Sequence, residues 1–238
     1  MTFSAEQYFN FGDDSMKNQK KKMNLPNKLS LMRLCMVPII VIVGMLTPKF
    51  SVEAPSVAFY ISSVACAVLF IAASITDMLD GKIARRDGLV TDFGKFIDPI
   101  ADKFMVIGAL FVILFKFGTL QYFEYVMIAA LIIVVFRELA ITSIRLVASN
   151  ASNVVLAANM LGKVKTVTQV VAISTVFLEP ILQWITKLIA EAVVGHPLAW
   201  RYDILPLTWV TIVLSLVMTV WSGIAYIKGY WKYLDPQK

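Results

Sequence analysis

The chain has 238 residues, 58% of them hydrophobic and only 16% charged, with a mean hydropathy of +0.74 and a formal net charge of +6. An average soluble domain is about 25% charged, so this composition excludes an ordinary soluble enzyme and indicates an integral membrane protein of one domain, two at most. The basic excess gathers at the ends of apolar runs, which speaks for a lipid bilayer as partner and against nucleic acid.

Taken in chain order, residues 1–23 are polar, end in "KNQKKK" and read as a disordered basic tail. Such a tail suits anionic headgroups or serves only as a topology signal, and it has no apolar core of the kind a cleaved leader needs. "NLPNKLSLMRL" then opens a first span that ends near Leu46, with Pro26 and Asn27 at the helix start. Apolar runs at 56–75, 100–115, 125–147, 167–178 and 205–227 predict further spans. Each lies near the roughly 20 residues that cross a bilayer, although the fifth is short. The expected fold is all-α: a polytopic membrane domain over 24–238, built as a bundle of six transmembrane helices. Cys35 and Cys66 fall inside apolar runs and read as core thiols. After Pro180, "ILQWITKLIAEAVV" repeats apolar residues at helical spacing, and 180–203 reads as an interfacial insertion. A continuation of the fifth span kinked at Pro180 is the alternative.

Lysine and arginine set the topology. In this arrangement one side receives sixteen of them and the other receives four, Lys49, Lys116, Lys187 and Arg201, while Lys103 and Arg137 lie within spans. Both termini are therefore expected in the cytoplasm.

The stretch "TDMLDGKIARRDGLVTDFGKFIDPIADK" packs six aspartates and five basic residues between two apolar runs. Asp77 and Asp80 are three apart near the end of the second span, and Asp98 and Asp102 are four apart at the start of the third, so each pair shares a helix face. The short connection suggests that the two helices are neighbours and that the pairs converge. Like charges about 4 Å apart cost roughly 4 kcal/mol at an effective dielectric near 20. Such a cluster is tolerable if some members are protonated or if cations sit between them. Donors that are all oxygen favour hard divalent ions, Mg²⁺ or Mn²⁺. Gly81, Ala84 and Gly94 leave room beside the acids, either for a ligand to approach the backbone or for close helix packing. Arg85 is a planar donor suited to phosphate.

The spacing D-x2-D-G-x2-A-R-x8-G-x3-D-x3-D is met by Asp77, Asp80, Gly81, Ala84, Arg85, Gly94, Asp98 and Asp102. It resembles the signature of the CDP-alcohol phosphotransferase family. "NLPNKLSLMR", "FRELAITSIRLVA", "GKVKTVTQ" and "WSGIAYIKGY" resemble segments of the branch that uses glycerol 3-phosphate as acceptor. Ser30 stands where threonine is expected, and the tail and 180–203 depart from the pattern. The resemblance implies phosphatidyl transfer from CDP-diacylglycerol to sn-glycerol 3-phosphate by a homodimer in a bacterial inner or plasma membrane, with the active site on the cytoplasmic side. It implies that two divalent cations sit on Asp77, Asp80 and Asp98, with Asp102 close enough to be a further ligand and placed to act as the base. Asp80, Gly81, Ala84, Arg85 and Gly94 would serve the CDP-linked lipid. For Asn27 and Arg33, lipid-substrate binding competes with a helix cap and a headgroup contact. A phosphorylated acceptor asks for a cationic pocket, for which Arg137, Arg145, Lys163 and Lys165 are the candidates, with Glu138 as a partner for one of them. Arg137 stands out because a charge deep in a span normally faces the bundle interior; positive-inside topology is the competing account of these cations. Inositol phosphate, serine or phosphatidylglycerol are alternative acceptors. A divalent-cation transporter would need acids along a path across the membrane, yet the outer halves of the spans hold little beyond Glu124 and Glu179.

Overall fold

The computed structural model describes residues 24–231 apart from 54, 87–90, 153–159 and 197–203. The tail at 1–23 and the end of the 180–203 segment lie outside these, as do the side chains of Ala84 and Arg85. The described residues form six helices and no strand: α1 (Leu25–Met45), α2 (Val57–Arg86), α3 (Asp92–Phe117), α4 (Gln121–Ser152), α5 (Met160–Val194) and α6 (Pro206–Tyr230). Helices are the economical choice for an apolar chain in lipid, because each satisfies its own backbone hydrogen bonds.

Five of the helices, all except α3, are long and apolar enough to cross a membrane. In α3 the apolar part is bounded by Asp102, Lys103 and Lys116, which leaves no stretch both long and uncharged enough. The helix that fails the test is the one that brings half of the acidic motif into the bundle.

Two expectations about neighbours and boundaries change. The short α2–α3 connection does not make these helices close partners; they touch each other least of all the packed pairs, and each instead packs along α1. Small residues permit this closeness on the α3 side. A Cβ on Gly44 would lie 2.2 Å from Val112 Cγ1, and one on Gly108 would lie 2.8 Å from Val37 Cγ1. Without those methyl groups α1 and α3 can close on each other.

The segment after Pro180 is not a separate helix. It continues α5, a single helix of 35 residues with Pro180 inside it, and so the fifth span is not short. At 1.5 Å per residue α5 is about 52 Å long, well beyond the ~30 Å hydrocarbon core. Its first turns past Pro180 belong to the bundle: the Trp184 ring lies 5.4 Å from Tyr60 of α2, and Gln183 Nε2 donates to Ile204 O at 2.5 Å. Just before the proline, Glu179 is buried and accepts hydrogen bonds from the backbone N–H groups of Leu207 (3.0 Å) and Thr208 (2.6 Å). Those N–H groups open α6 and have no partner within it, so a carboxylate from α5 caps the positive end of that helix dipole.

The end of the bundle formed by the C-terminus of α3 is aromatic. Phe50, Phe59, Phe117 and Phe123 cluster with ring centroids 5.3 to 5.8 Å apart, and Trp209 meets Phe123 edge-on at 5.8 Å. Lys116 is wholly buried among them rather than facing the medium as its position suggested. Its ammonium donates to Ser62 Oγ at 2.6 Å and Thr47 Oγ1 at 3.0 Å and lies 4.7 Å from the centre of the Phe59 ring, so two hydroxyls and a π face replace its water. Of the two cysteines only Cys66 is buried; Cys35 is exposed on α1.

Candidate active site

The acidic motif lies at the other end of the bundle. Helix α2 ends there, α3 begins there, and α1 begins there too. Thr91 is the N-cap of α3; its hydroxyl accepts from Gly94 N at 3.0 Å, satisfying one of the donors a helix start leaves free. Asn27 of α1 donates from Nδ2 to the same hydroxyl at 2.9 Å. Asn27 is therefore not the cap of its own helix, which is Asn24; it ties the start of α1 to the start of α3. Gly94 belongs to this contact as well. A Cβ there would stand 2.9 Å from Asn27 Oδ1, so the absence of a side chain at Gly94 lets the start of α1 come close to the start of α3. Ser30, one turn on, uses its hydroxyl on Pro26 O at 3.0 Å, a bond that serine makes as well as threonine.

Two turns into α1, Arg33 enters the acidic cluster. Its side chain is wholly buried, which rules out a headgroup contact. Nη1 lies 2.6 Å from Asp77 Oδ1 and 2.5 Å from Asp102 Oδ1, while Nη2 pairs with Asp80 Oδ2. Three of the four motif aspartates thus converge on one guanidinium. Of the two solutions open to such a cluster, protonation or a cation between its members, the structure shows a cation, and the chain itself supplies it. Asp77 and Asp102, which share Nη1, also approach within hydrogen-bonding reach of each other. Asp98 is exposed and pairs with no cation among the described residues, but stays close enough to Asp80 for their charges to interact. Gly81 follows Asp80 and is half-buried.

The three paired carboxylates differ in access. Asp80 is 7% exposed at its side chain, Asp77 36% and Asp102 46%.

Whether this site suits divalent metal can be read from its donors. Among the described residues no three acidic, histidine or cysteine side chains stand in metal-ligand geometry. The donors gathered are nonetheless all carboxylate oxygens, the set that Mg²⁺ and Mn²⁺ prefer, and the Arg33 contacts locate a cation between α2 and α3. One positive charge against three negative ones leaves an excess that a divalent ion would balance better.

A second charged group stands on α4, α5 and α6. Arg137 Nη1 and Lys165 Nζ both reach Glu138 Oε1, at 3.0 and 2.5 Å, and Arg137 Nη2 donates to Ser222 Oγ at 3.1 Å. Glu138 therefore pairs with two cations rather than one, and the group keeps one positive charge in excess. Lys165 is buried and Arg137 nearly so. Gly223 helps, since a Cβ there would already touch Arg137 Cγ at 3.4 Å. The other two sequence candidates do not join this group. Arg145 is exposed with its guanidinium 5.9 Å from the centre of the Tyr226 ring, and Lys163 is exposed. One helical turn past Lys165, Gln169 is buried beside a cavity of about 30 Å³ and its Nε2 has no partner among the described residues.

The two groups belong to one region. Lys103, next to Asp102 in the chain, donates to Thr142 Oγ1 at 2.5 Å, and Thr142 sits one turn beyond Glu138 on α4, donating to its carbonyl at 2.7 Å. An acidic cluster and a basic pair thus line the same end of the bundle, one suited to cations and the other to a small anion. Asn27 and Gly94, both legible as candidates, meet at the contact between α1 and α3; Thr91 and Ser222 were missed. Thr91 had a signal, a threonine immediately before a helical run.

Residues 23–221 match the family described as CDP-alcohol phosphatidyltransferase. The chain is 36% identical over 213 residues to the CDP-diacylglycerol–glycerol-3-phosphate 3-phosphatidyltransferase of Bacillus subtilis (strain 168), covering 89% of this chain and 97% of that protein. The enzyme of the same name from Yersinia enterocolitica is 30% identical over 219 residues, 90% of this chain and all (100%) of the relative. A cardiolipin synthase (CMP-forming) of Oryza sativa subsp. japonica is 30% identical over 220 residues, 90% of this chain and 59% of that protein.

Proposed function

The chain belongs to the CDP-alcohol phosphatidyltransferase family, and from that premise we propose that it transfers the phosphatidyl group of CDP-diacylglycerol to sn-glycerol 3-phosphate, giving phosphatidylglycerol phosphate and CMP. The observation that supports this most directly is the convergence of Asp77, Asp80 and Asp102 on a single cation, beside the Arg137–Lys165 pair.

In this reading Asp77, Asp80 and Asp98 hold two divalent ions, Mg²⁺ or Mn²⁺, with Asp102 close enough to join them. When bound, such ions neutralise the diphosphate and the charge that builds on departing CMP. Asp80, Gly81, Ala84, Arg85 and Gly94 would serve the CDP-linked lipid in the same proposal. Asp102, the most exposed of the three paired carboxylates, takes the proton of the attacking glycerol hydroxyl. The hydroxyl oxygen forms a bond to the phosphorus that carries the diacylglycerol, and the bond from that phosphorus to the CMP oxygen breaks. Arg137 and Lys165 hold the acceptor's own phosphate. Their excess positive charge suits an anion, and burial strengthens each contact by excluding water.

The site lies on the cytoplasmic face in this proposal, since the basic residues crowd the loops at that end. The acyl chains then remain in lipid while a water-soluble acceptor enters from the other direction. A six-span homodimer in the cell membrane completes the reading.

The likeness to a protein named as a cardiolipin synthase favours phosphatidylglycerol as the second reading of the acceptor. Purified protein should release CMP from CDP-diacylglycerol rapidly with glycerol 3-phosphate, and at background rates with inositol 1-phosphate, serine or phosphatidylglycerol. Release with any of these in place of glycerol 3-phosphate would overturn the assignment.

A further inference from the structure

Arg33 is a cation in a place where the proposed chemistry needs other cations. We infer that Arg33 is the resident counter-ion of the acidic cluster: it holds Asp77, Asp80 and Asp102 together while no metal is bound, and divalent ions must displace it. The inference rests on the metal reading above and adds to it a competitor within the protein.

Three features lead here. First, the oxygens that Arg33 engages come from two helices that barely touch each other, α2 and α3. Direct packing does not keep these acidic ends together; each leans on α1, and Arg33 of α1 supplies the attraction. Second, the same Nη1 is shared by Asp77 Oδ1 and Asp102 Oδ1. An ion bridging α2 and α3 would draw on those oxygens, so guanidinium and metal exclude one another there.

Third, the fit is incomplete. Arg33 Nε is buried and has no hydrogen-bond partner among the described residues. A guanidinium held for structure alone normally satisfies its whole fork, and a buried donor without a partner makes the bound state easier to leave. The single charge of Arg33 also leaves the cluster negative overall, so a doubly charged ion competes with advantage. Once displaced, the guanidinium remains tethered to α1 beside the site, where a phosphate oxygen is the partner that its planar fork suits.

The arrangement predicts linked changes in metal affinity and metal-free stability, which a purely packing role for Arg33 would not produce. The test uses the full chain purified in detergent without nucleotide. Mn²⁺ binding is followed by electron paramagnetic resonance, and thermal melting is recorded in EDTA and in saturating Mn²⁺. Arg33→Gln should bind Mn²⁺ at a midpoint about tenfold or more below that of the unaltered protein, since one repelling charge and one competitor are gone. It should melt earlier in EDTA and recover most of the difference with Mn²⁺. Adding Asp77→Asn to Arg33→Gln should raise the melting temperature in EDTA by relieving repulsion. Arg33→Lys, which keeps the charge but not the fork and so should fold, is expected to have an intermediate Mn²⁺ midpoint. If the unaltered protein binds Mn²⁺ and neither Arg33 variant binds it more tightly, the inference falls and the metal reading stands. If none of the proteins binds Mn²⁺, both fall together.

Discussion

Asp102→Asn is expected to lower CMP release from CDP-diacylglycerol by about 10³, with the helical fold retained. General-base catalysis contributes about 10² to 10⁴ in rate, and asparagine keeps the size of the side chain but accepts no proton at neutral pH. The fold should persist because Arg33 retains its pairs with Asp77 and Asp80, and because the contact from Thr91 to Asn27 is untouched. Affinity for CDP-diacylglycerol should change little if Asp102 works mainly on the acceptor hydroxyl. A circular dichroism spectrum and melting curve beside the rate measurement separate a chemical defect from a folding one. A variant that keeps more than a tenth of normal turnover would remove Asp102 from the role of base.

The second large effect is expected at the basic pair. Lys165→Met should raise the KM for glycerol 3-phosphate by about 50-fold while the KM for CDP-diacylglycerol stays within a factor of two or so. A hydrogen bond to a charged group is worth about 1.5 to 3 kcal/mol, and each 1.4 kcal/mol is about a factor of ten. Charge bookkeeping agrees with the direction. Glu138 already cancels one of the two cations, so removing Lys165 leaves Arg137 paired with Glu138 and no surplus for a phosphate. Lys165→Arg should recover most of the loss, since it restores the charge at similar reach. Arg145 and Lys163 stand apart from this pair, and Lys163→Met should leave both KM values nearly unchanged. Equal losses for Lys163→Met and Lys165→Met would mean that general positive charge, and not this pair, attracts the acceptor.

The parts of this site that were legible in the sequence are the local ones. Asp77 with Asp80, and Asp98 with Asp102, were placed on shared faces because helical spacing is enough to do so. Arg137 stood out because a charge deep in an apolar run is costly unless it turns toward the bundle interior. What could not be read is what depends on long-range packing. Arg33 lies 44 residues from Asp77 and 69 from Asp102 in the chain, and nothing local distinguishes it from an arginine that reaches for lipid headgroups. The same holds for Lys116, whose ammonium was expected in the medium and is instead enclosed by Ser62, Thr47 and Phe59.

The misjudged neighbours follow from a related cause. A short connection limits how far α2 and α3 can separate, but their contact depends on what lies between them, and here the opening turns of α1 do. Gly44 and Gly108 show how α1 comes so near to α3, and Asn27 occupies the space that Gly94 leaves. Glycine in an apolar run signals closeness without saying to what. Pro180 was a similar trap. It removes one hydrogen bond from a helix, but α5 runs on because Glu179, Gln183 and Trp184 anchor the turns around it.

The metal requirement is the claim on which the remainder depends, and stripping the ions tests it most directly. Purified protein is freed of divalent cations with EDTA, supplied with CDP-diacylglycerol and glycerol 3-phosphate, and assayed for CMP before and after Mg²⁺ or Mn²⁺ is returned. Release should fall to background in the chelator and return in full with either or both ions. Undiminished turnover by the stripped enzyme would contradict the account.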